Sequence, residues 1–568
     1  MTASPRARLT LASVAVAFAA ADTYVVVLAL PDMMSGVGLS ADQLQRAAPI
    51  LSGFLLGYIA VLPLIGRIAD VVGRTPVLVG ALILFAVGSL ITASSYDLSL
   101  VVTGRFLQGV GGGGLVPATL ALVADLWPAE KRGLPLGIVG AVQELGSVLG
   151  PLLGAAVLAI ADWRYIFWLN LTVAVILALL LRGLQRPPLS AAVGLLACIS
   201  LGLTLTAPER LASGITLGLP FVPFSGESRL LTPIGVVSLV LLVLWIALIL
   251  FKARASLGEL VKRVDLLGAL LLACALAGVV LAFATADPER EVMAPAGPWL
   301  LVAAAVFAAL FALWQRHNAQ AIVPPGLLGA KPAWGSLVVS FLVGAALIAA
   351  LVDVPVFART TQGGGQLAAA LVLVRFLIAL PIGAVVGGWL TRRYGLGLIT
   401  AVGLGLAGAM FVLMALWDKD ALKHAPATIA LLVCGFGFGL ALSPVNTAIL
   451  GATRPDSHGL VSALVVVARM IGMLTGVSAL TALGLRRYYT IVDDVPAPNE
   501  LCPDKAVTSC RPFIDALQDA AVSQVHTIFA GAAVCAFAAA LLAVLLLGRR
   551  GALQGDGGHG DRVPARVP

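Results

Sequence analysis

This sequence predicts an all-α polytopic membrane protein, with two six-helix bundles and about four additional helices inserted between them. Three observations predict it. Of 568 residues, 60% are hydrophobic and 11% charged, with a mean hydropathy of +1.03, whereas a soluble chain is about a quarter charged. Apolar runs of about 20 residues recur along the chain, each long enough to cross ~30 Å of hydrocarbon. The first and last thirds also repeat one another in their glycines, prolines and charges, at a nearly constant offset.

Residues 1–187 carry six apolar runs. The first, Leu9 to Leu30, follows Arg6 and Arg8 but is too long for a signal-peptide core and leads into another span, so it reads as a retained helix. Residues 188–333 form inserted linker helices with four runs, two of them within 188–262. Residues 334–548 carry the second six, interrupted by an external loop at 485–525. In that loop Phe513, Leu517 and Val525 recur at near-helical spacing, as in an upward extension of the last span. The final 549–568, rich in Gly, Pro and Arg, reads as a disordered cytoplasmic tail. With the N-terminus inside, the cytoplasmic loops hold roughly 21 Lys and Arg against about 12 outside, which orients the chain and accounts for its net charge of +8.

The repeat is specific in its details. Gly66, Asp70 and Gly73, followed by Arg74, stand in "GRIADVVGR" at the spacing of Gly388, Arg392 and Gly395 in "GWLTRRYG". "GVGGGGLVPAT" parallels "GFGFGLALSPVNT", and Gly146 and Gly150 parallel Gly472 and Gly476. Asp22 and Asp353 both fall in the first span of a block. Parallel six-helix repeats related by an axis along the membrane normal are one transporter architecture, with the substrate site between the halves.

The charges inside the spans carry the functional reading. Asp22, Glu144 and Arg469 each lie about 10–13 residues from the cytoplasmic end of their helix, near the midplane at 1.5 Å per residue. They are expected to compensate one another in a central cavity, because ionisable residues at that depth face the bundle interior and mark ion pathways. Gly146, Gly150 and Gly154 recur every four residues as a packing stripe, and Glu144 points away from it. Arg105 shares a face with Gln108 and Gly109 and either bonds backbone or relays protons. Asp353 sits farther toward the outside, as an outer gate or an interfacial residue. In this reading a carboxylate takes up a proton facing outward and releases it inside; the alternative is a static charge cluster that locks the two halves together.

Other chemistries lack support. "GVGGGG" satisfies a dinucleotide-binding spacing but continues an apolar helix and follows no strand. No phosphate-loop motif, metal-ligand spacing, hydrolase nucleophile or nucleic-acid signature occurs, so the chain is read as no enzyme, with no cofactor beyond a proton gradient and no metal. Cys198, Cys274, Cys434 and Cys535 fall in apolar runs, whereas Cys502 and Cys510 flank "PDKAVTS" in the external loop, where an oxidising compartment permits a disulfide.

The motifs resemble those of the major facilitator superfamily. Gly66, Asp70, Gly73 and Arg74 match its loop motif between the second and third helices, and Arg105, Gln108 and Gly109 its fourth-helix motif. Gly146, Gly150, Pro151 and Gly154 match its fifth-helix antiporter signature, from which Ala155 departs where a second glycine is frequent. "DTYVVVLALP" is similar to the first helix of its drug:proton antiporter branch with 14 helices. "QELGSVLGPL", "LIALPIGAV" and "VVVARM" resemble a family of mycobacterial exporters known for multidrug efflux and for triacylglyceride transport with a periplasmic lipoprotein. The resemblance implies a multi-pass protein of the cell membrane (the inner, or plasma, membrane) that exports lipids or amphiphilic drugs by proton-coupled alternating access. It also implies a periplasmic lipid-carrier lipoprotein as partner, and coupling roles for Asp22, Glu144 and Arg469. A plain multidrug:proton antiporter, or a non-transporting scaffold or receptor, are the alternatives. Residues 188–262 are an addition to that family's pattern.

Overall fold

The computed structural model describes residues 5–39, 44–158, 160–182, 265–284, 294–318, 326–362, 366–496 and 510–547, with a few positions between them. The first six long helices are α1 (Pro5–Gly36), α2 (Leu44–Val72), α3 (Arg74–Ala93), α4 (Leu98–Leu126), α5 (Gly133–Leu158) and α6 (Arg164–Arg182). Two insert helices follow, α7 (Leu266–Ala284) and α8 (Gly297–His317). The last six are α9 (Lys331–Gln362), α10 (Gln366–Leu390), α11 (Leu396–Met414), α12 (Ala425–Gly451), α13 (His458–Val492) and α14 (Arg511–Leu546). Among the described residues, 12 helices are long and apolar enough to cross a membrane. Two of the four expected insert helices are thus seen. The expected pair within 188–262 falls outside the described residues, apart from a short apolar helix at Gly235–Trp245, and so does the tail at 549–568.

Local chemistry explains the breaks. Gly73, at φ 103°, lets the chain reverse between α2 and α3, a backbone region that disfavours a side chain. Asp97 caps α4, its carboxylate accepting from the Leu100 N–H at 3.0 Å. Prolines 63, 117, 355, 381 and 444 lie inside helices, which is tolerated where neighbouring helices re-satisfy the backbone.

The packing repeats between halves. In the first half α1 packs on α5, α2 and α3 on α4, and α3 on α6; in the second α9 packs on α13, α10 and α11 on α12, and α11 on α14. Small residues set the register. Gly150 lies against the Ala21 carbonyl of α1 and Gly476 against Ala345 of α9. Gly109 meets Phe54 and Gly435 meets Phe376. That register puts Ala346, not Asp353, in the place of Asp22. Asp353 lies two turns farther along its helix, so the two aspartates are not repeat mates.

The halves meet along two seams, α2 with α13 and α5 with α10. A Cβ on Gly66 would stand 2.6 Å from the Gly459 carbonyl oxygen, and one on Gly133 2.6 Å from that of Gly388. Both contacts lie at the end that the charge bias assigns to the cytoplasm. Beyond the opposite end, α13 runs unbroken to Val492, α14 begins at Arg511, and a Cys502–Cys510 disulfide closes the segment before α14.

Candidate functional site

The carboxylate of Asp22, 1% exposed, is answered from inside its own half. Arg105 Nη1 on α4 donates to Asp22 Oδ2 at 2.6 Å and to Gln108 Oε1 at 3.0 Å. Asn170 on α6 donates to Asp22 Oδ1. Gln108 Nε2 continues the chain to Ser89 Oγ on α3 at 2.8 Å. The Arg105 guanidinium also stands 4.3 Å from the centre of the Phe54 ring. Four helices are thereby tied through one buried ion pair, which is tolerable only because both charges are paired and hydrogen-bonded.

This corrects the expected grouping of Asp22 with Arg469. Both Asp22 oxygens are engaged by Arg105 and Asn170, while Arg469 lines a separate cavity between the halves. Distance from a helix end gives depth but not azimuth, and azimuth decided the partner. Arg105, expected to bond backbone or relay protons, is the counter-ion. Asn170 was missed, although it is the one carboxamide in the run "FWLNLTV" of α6.

The cavity is small, about 30 Å³ in volume. Val116, Leu120 and Gln143 line it from the first half, and Val343, Leu442, Val445, Asn446 and Arg469 from the second. Aliphatic side chains and the polar Gln143, Ser340, Asn446 and Arg469 share its walls. The Ser340 hydroxyl is committed to the Val465 carbonyl at 2.9 Å and the Asn446 amide to the Leu442 carbonyl at 3.0 Å. Gln143 and Arg469 occupy equivalent register on α5 and α13, as the Gly146 and Gly472 contacts fix, so the pseudo-two-fold brings this pair to the cavity. Glu144, grouped with Arg469 by depth in the sequence, is the neighbour of Gln143. Glu144 and Pro151 lie on α5, with side chains outside those described.

Asp353 is buried on α9 at 6% exposure. Gly146 and Gly150 form the α1–α5 contact, and Gly154 is buried on the same helix. Arg375 on α10 donates to Thr428 Oγ1 at 2.8 Å. In the loop motif, Asp70 accepts from the Gly459 and Leu460 N–H groups at 2.8 and 3.0 Å and pairs with Arg74 at 2.6 Å. No group of three or more His, Cys, Asp or Glu with metal-binding geometry occurs among the described residues.

The profile of the Major Facilitator Superfamily matches residues 12–321 and 298–477. The chain is 35% identical over 575 residues to a triacylglyceride transporter of Mycolicibacterium hassiacum, covering 97% of this chain and 95% of that one. It is 36% identical over 505 residues to a probable triacylglyceride transporter of Mycobacterium leprae, covering 86% of each. It is 35% identical over 568 residues to a triacylglyceride transporter of Mycobacterium tuberculosis, covering 97% and 96%. In fold it is similar to the human organic anion transporter MFSD10 (TM-score 0.55, 15% identity, 95% and 100% covered). It is also similar to the proton:xylose symporter XylE (TM-score 0.52, 14% identity, 96% of each covered).

Proposed function

Because the chain belongs to the major facilitator superfamily, a family of multi-pass membrane transporters and not enzymes, we propose that it exports triacylglyceride-like lipids or other amphiphiles, driven by inward proton flow through alternating access. The observation that carries this reading is the small cavity between the halves, where aliphatic side chains of both halves meet Arg469 among the described residues. When the halves part and the cavity widens, its aliphatic side chains offer a surface for acyl chains, with Arg469 on the same wall. The names of its mycobacterial relatives support a lipid over a polar solute.

The proposed coupling group is Asp22 with Arg105. A proton on Asp22 cancels the charge that holds Arg105, which then turns to Gln108 and its neighbours. That change reaches the cavity by contact. Ala21 abuts Gly150 on α5, and Gln143 and Gly140 of α5 line the cavity. Glu144, Asp353 and Arg469 remain part of the proposed proton and substrate path. Pro151, Gly154 and Gly73 are assigned to the conformational change, with the two seams as its moving contacts. No cofactor is required by this chemistry. The proposed partner is a periplasmic lipid-carrier lipoprotein that docks on the outer ends of α13 and α14.

The test is transport by purified protein in proteoliposomes carrying a proton gradient, with a fluorescent triacylglyceride and ethidium as separate probes. The expected result is gradient-driven movement of the lipid, lost in Asp22→Asn and Glu144→Gln variants that stay folded. Movement of ethidium alone would leave a plain multidrug:proton antiporter. Movement of neither would return the chain to a scaffold or receptor.

A further inference from the structure

Asp353 is buried like Asp22 but is held differently. Asp22 has donors on two helices, whereas neither a charge nor a hydrogen bond answers Asp353. A carboxylate buried without a partner is costly as an anion, and the cheaper form carries a proton. The charges on the helices around it are used elsewhere or face away. Arg375 of α10 bonds Thr428, Arg469 of α13 lines the central cavity, and Lys419, beyond α11, pairs with Asp519 of α14 at 2.7 Å. Arg359 on its own helix, Arg486 and Arg487 of α13, and Arg511 and Asp515 of α14 are exposed. Helix α11 carries no titratable side chain, and α12 offers only the buried thiol of Cys434.

One titratable group on α14 comes close. Asp353, Phe357 and Thr360 recur at spacings of four and three, on one stripe of α9. Helix α14 packs along that stripe: Gln518 Nε2 donates to the Thr360 carbonyl at 2.6 Å, and the His526 ring lies 6.4 Å from the ring of Phe357. Phe357 is one turn outward of Asp353, which places His526 between the carboxyl and the outer end. The His526 ring bonds the Trp417 backbone, and its Nε2 is buried with no partner among the described residues. With Nδ1 donating that backbone bond, the neutral ring presents Nε2 as a free lone pair. Trp417 completes an aromatic wall, 5.5 Å from Phe357 and 6.2 Å from Phe529 between ring centres. In so apolar a setting a charge is tolerated only beside an internal partner.

We propose that Asp353 and His526 form a second proton-binding site, in the outer part of the second half, loaded from outside and separate from Asp22. This deepens the proton-driven reading above and rests on it. His526 Nε2 takes a proton from the outer water when the outer ends of α9 and α14 loosen and Phe357 turns aside. The imidazolium then gives that proton to a carboxylate oxygen of Asp353. The ring returns to its neutral form and the pair ends uncharged, the state that the closed aromatic wall tolerates. One proton is bound, first as N–H and then as O–H.

Full-length protein in proteoliposomes, with a fluorescent triacylglyceride and ethidium as separate probes, tests this. In the parent, the proton gradient should drive accumulation of a probe. Asp353→Asn, of the same shape but unable to release a proton, should lose most of that accumulation. It should still exchange the probe at equal pH on both sides, which shows that it is folded. Asp353→Glu should recover part of the accumulation, and His526→Gln should slow it several-fold. Infrared difference spectra between acid and alkaline buffer give a readout that packing alone would not move. They should contain a carboxyl C=O component that vanishes in Asp353→Asn, persists in Asp22→Asn and shifts its midpoint in His526→Gln. Undiminished accumulation by Asp353→Asn, or a carboxyl signal unchanged in that variant, overturns the proposal. A parent that moves both probes equally with and without the gradient refutes the proton-driven reading, whereas a gradient-driven parent with an unaffected Asp353→Asn refutes this site alone.

Discussion

Removing Arg105 is the most informative single perturbation of the first half. Arg105→Leu keeps much of the side-chain volume but deletes the 2.6 Å pair to Asp22, the 3.0 Å bond to Gln108 and the stacking on Phe54. Asp22 is then a buried carboxylate with only Asn170 as donor. Breaking a buried pair from one side costs about 3–5 kcal/mol, because the remaining charge is stranded. Asp22→Asn strands the guanidinium instead and should cost a similar amount. Combining the two leaves neither charge, so the double variant should be less destabilised than the sum of the singles by roughly 2–4 kcal/mol. Reversible unfolding in mixed micelles, with intrinsic fluorescence as readout, measures all three. For a bundle of this size the single variants should also melt on the order of 10 °C lower. Additive singles, or an Arg105→Leu protein as stable as the parent, would refute the assignment of these residues as one compensating unit.

Other sites give separable outcomes. Gly459→Ala places a Cβ 2.8 Å from Asp70 Oδ1 and against the Gly66 backbone; pulsed electron-spin distances across the cytoplasmic end should lengthen and broaden, while folding persists. Gly150→Val intrudes on the Ala21 carbonyl, 2.5 Å from even the first added carbon, and should cost about 2 kcal/mol or more by forcing α1 from α5, with transport lost first. Phe411→Ala opens a void among Phe438 and Phe529 and should cost roughly 3 kcal/mol, yet leave the proton stoichiometry of the remaining transport unchanged. Cys502→Ser with Cys510→Ser unclips the segment before α14; lipid export should fall several-fold and ethidium efflux should not, which parallel uptake assays can compare.

How far sequence carried the structure can be judged residue by residue. Span positions were legible because hydrocarbon demands long apolar runs, and the glycine spacings gave the repeat because close helix approach tolerates little else. The need for a partner to Asp22 was equally plain from the cost of burying it. Which group answers it was not, since Asp22, Arg105 and Asn170 lie on three helices whose rotations are set by packing. Asp353 misled for a related reason: occupying the same helix of a repeat is not occupying the same turn, and only the Ala21–Gly150 and Ala345–Gly476 contacts fix the turn. Gln143 was hidden because a neutral amide in an apolar run attracts less notice than the glutamate beside it.

The register also shows what the duplication has kept and what it has discarded. Carried into the second half, the positions of Asp22, Ser89, Arg105 and Gln108 become Ala346, Phe411, Leu431 and Cys434, all buried. A polar network that ties four helices is thus replaced by an aromatic and aliphatic core, in which Phe411 packs on Phe438 and Phe529. Scaffold contacts are retained in both halves: glycine against carbonyl at the α1–α5 and α9–α13 pairs, and glycine against glycine at both seams. An ion pair buried for stability alone has no advantage over such a core, since replacing it with well-packed apolar groups is often neutral or stabilising. The second half demonstrates that replacement within one chain. Retention of the charged version in the first half therefore points to a demand other than folding, and the proton uptake proposed for Asp22 would be such a demand.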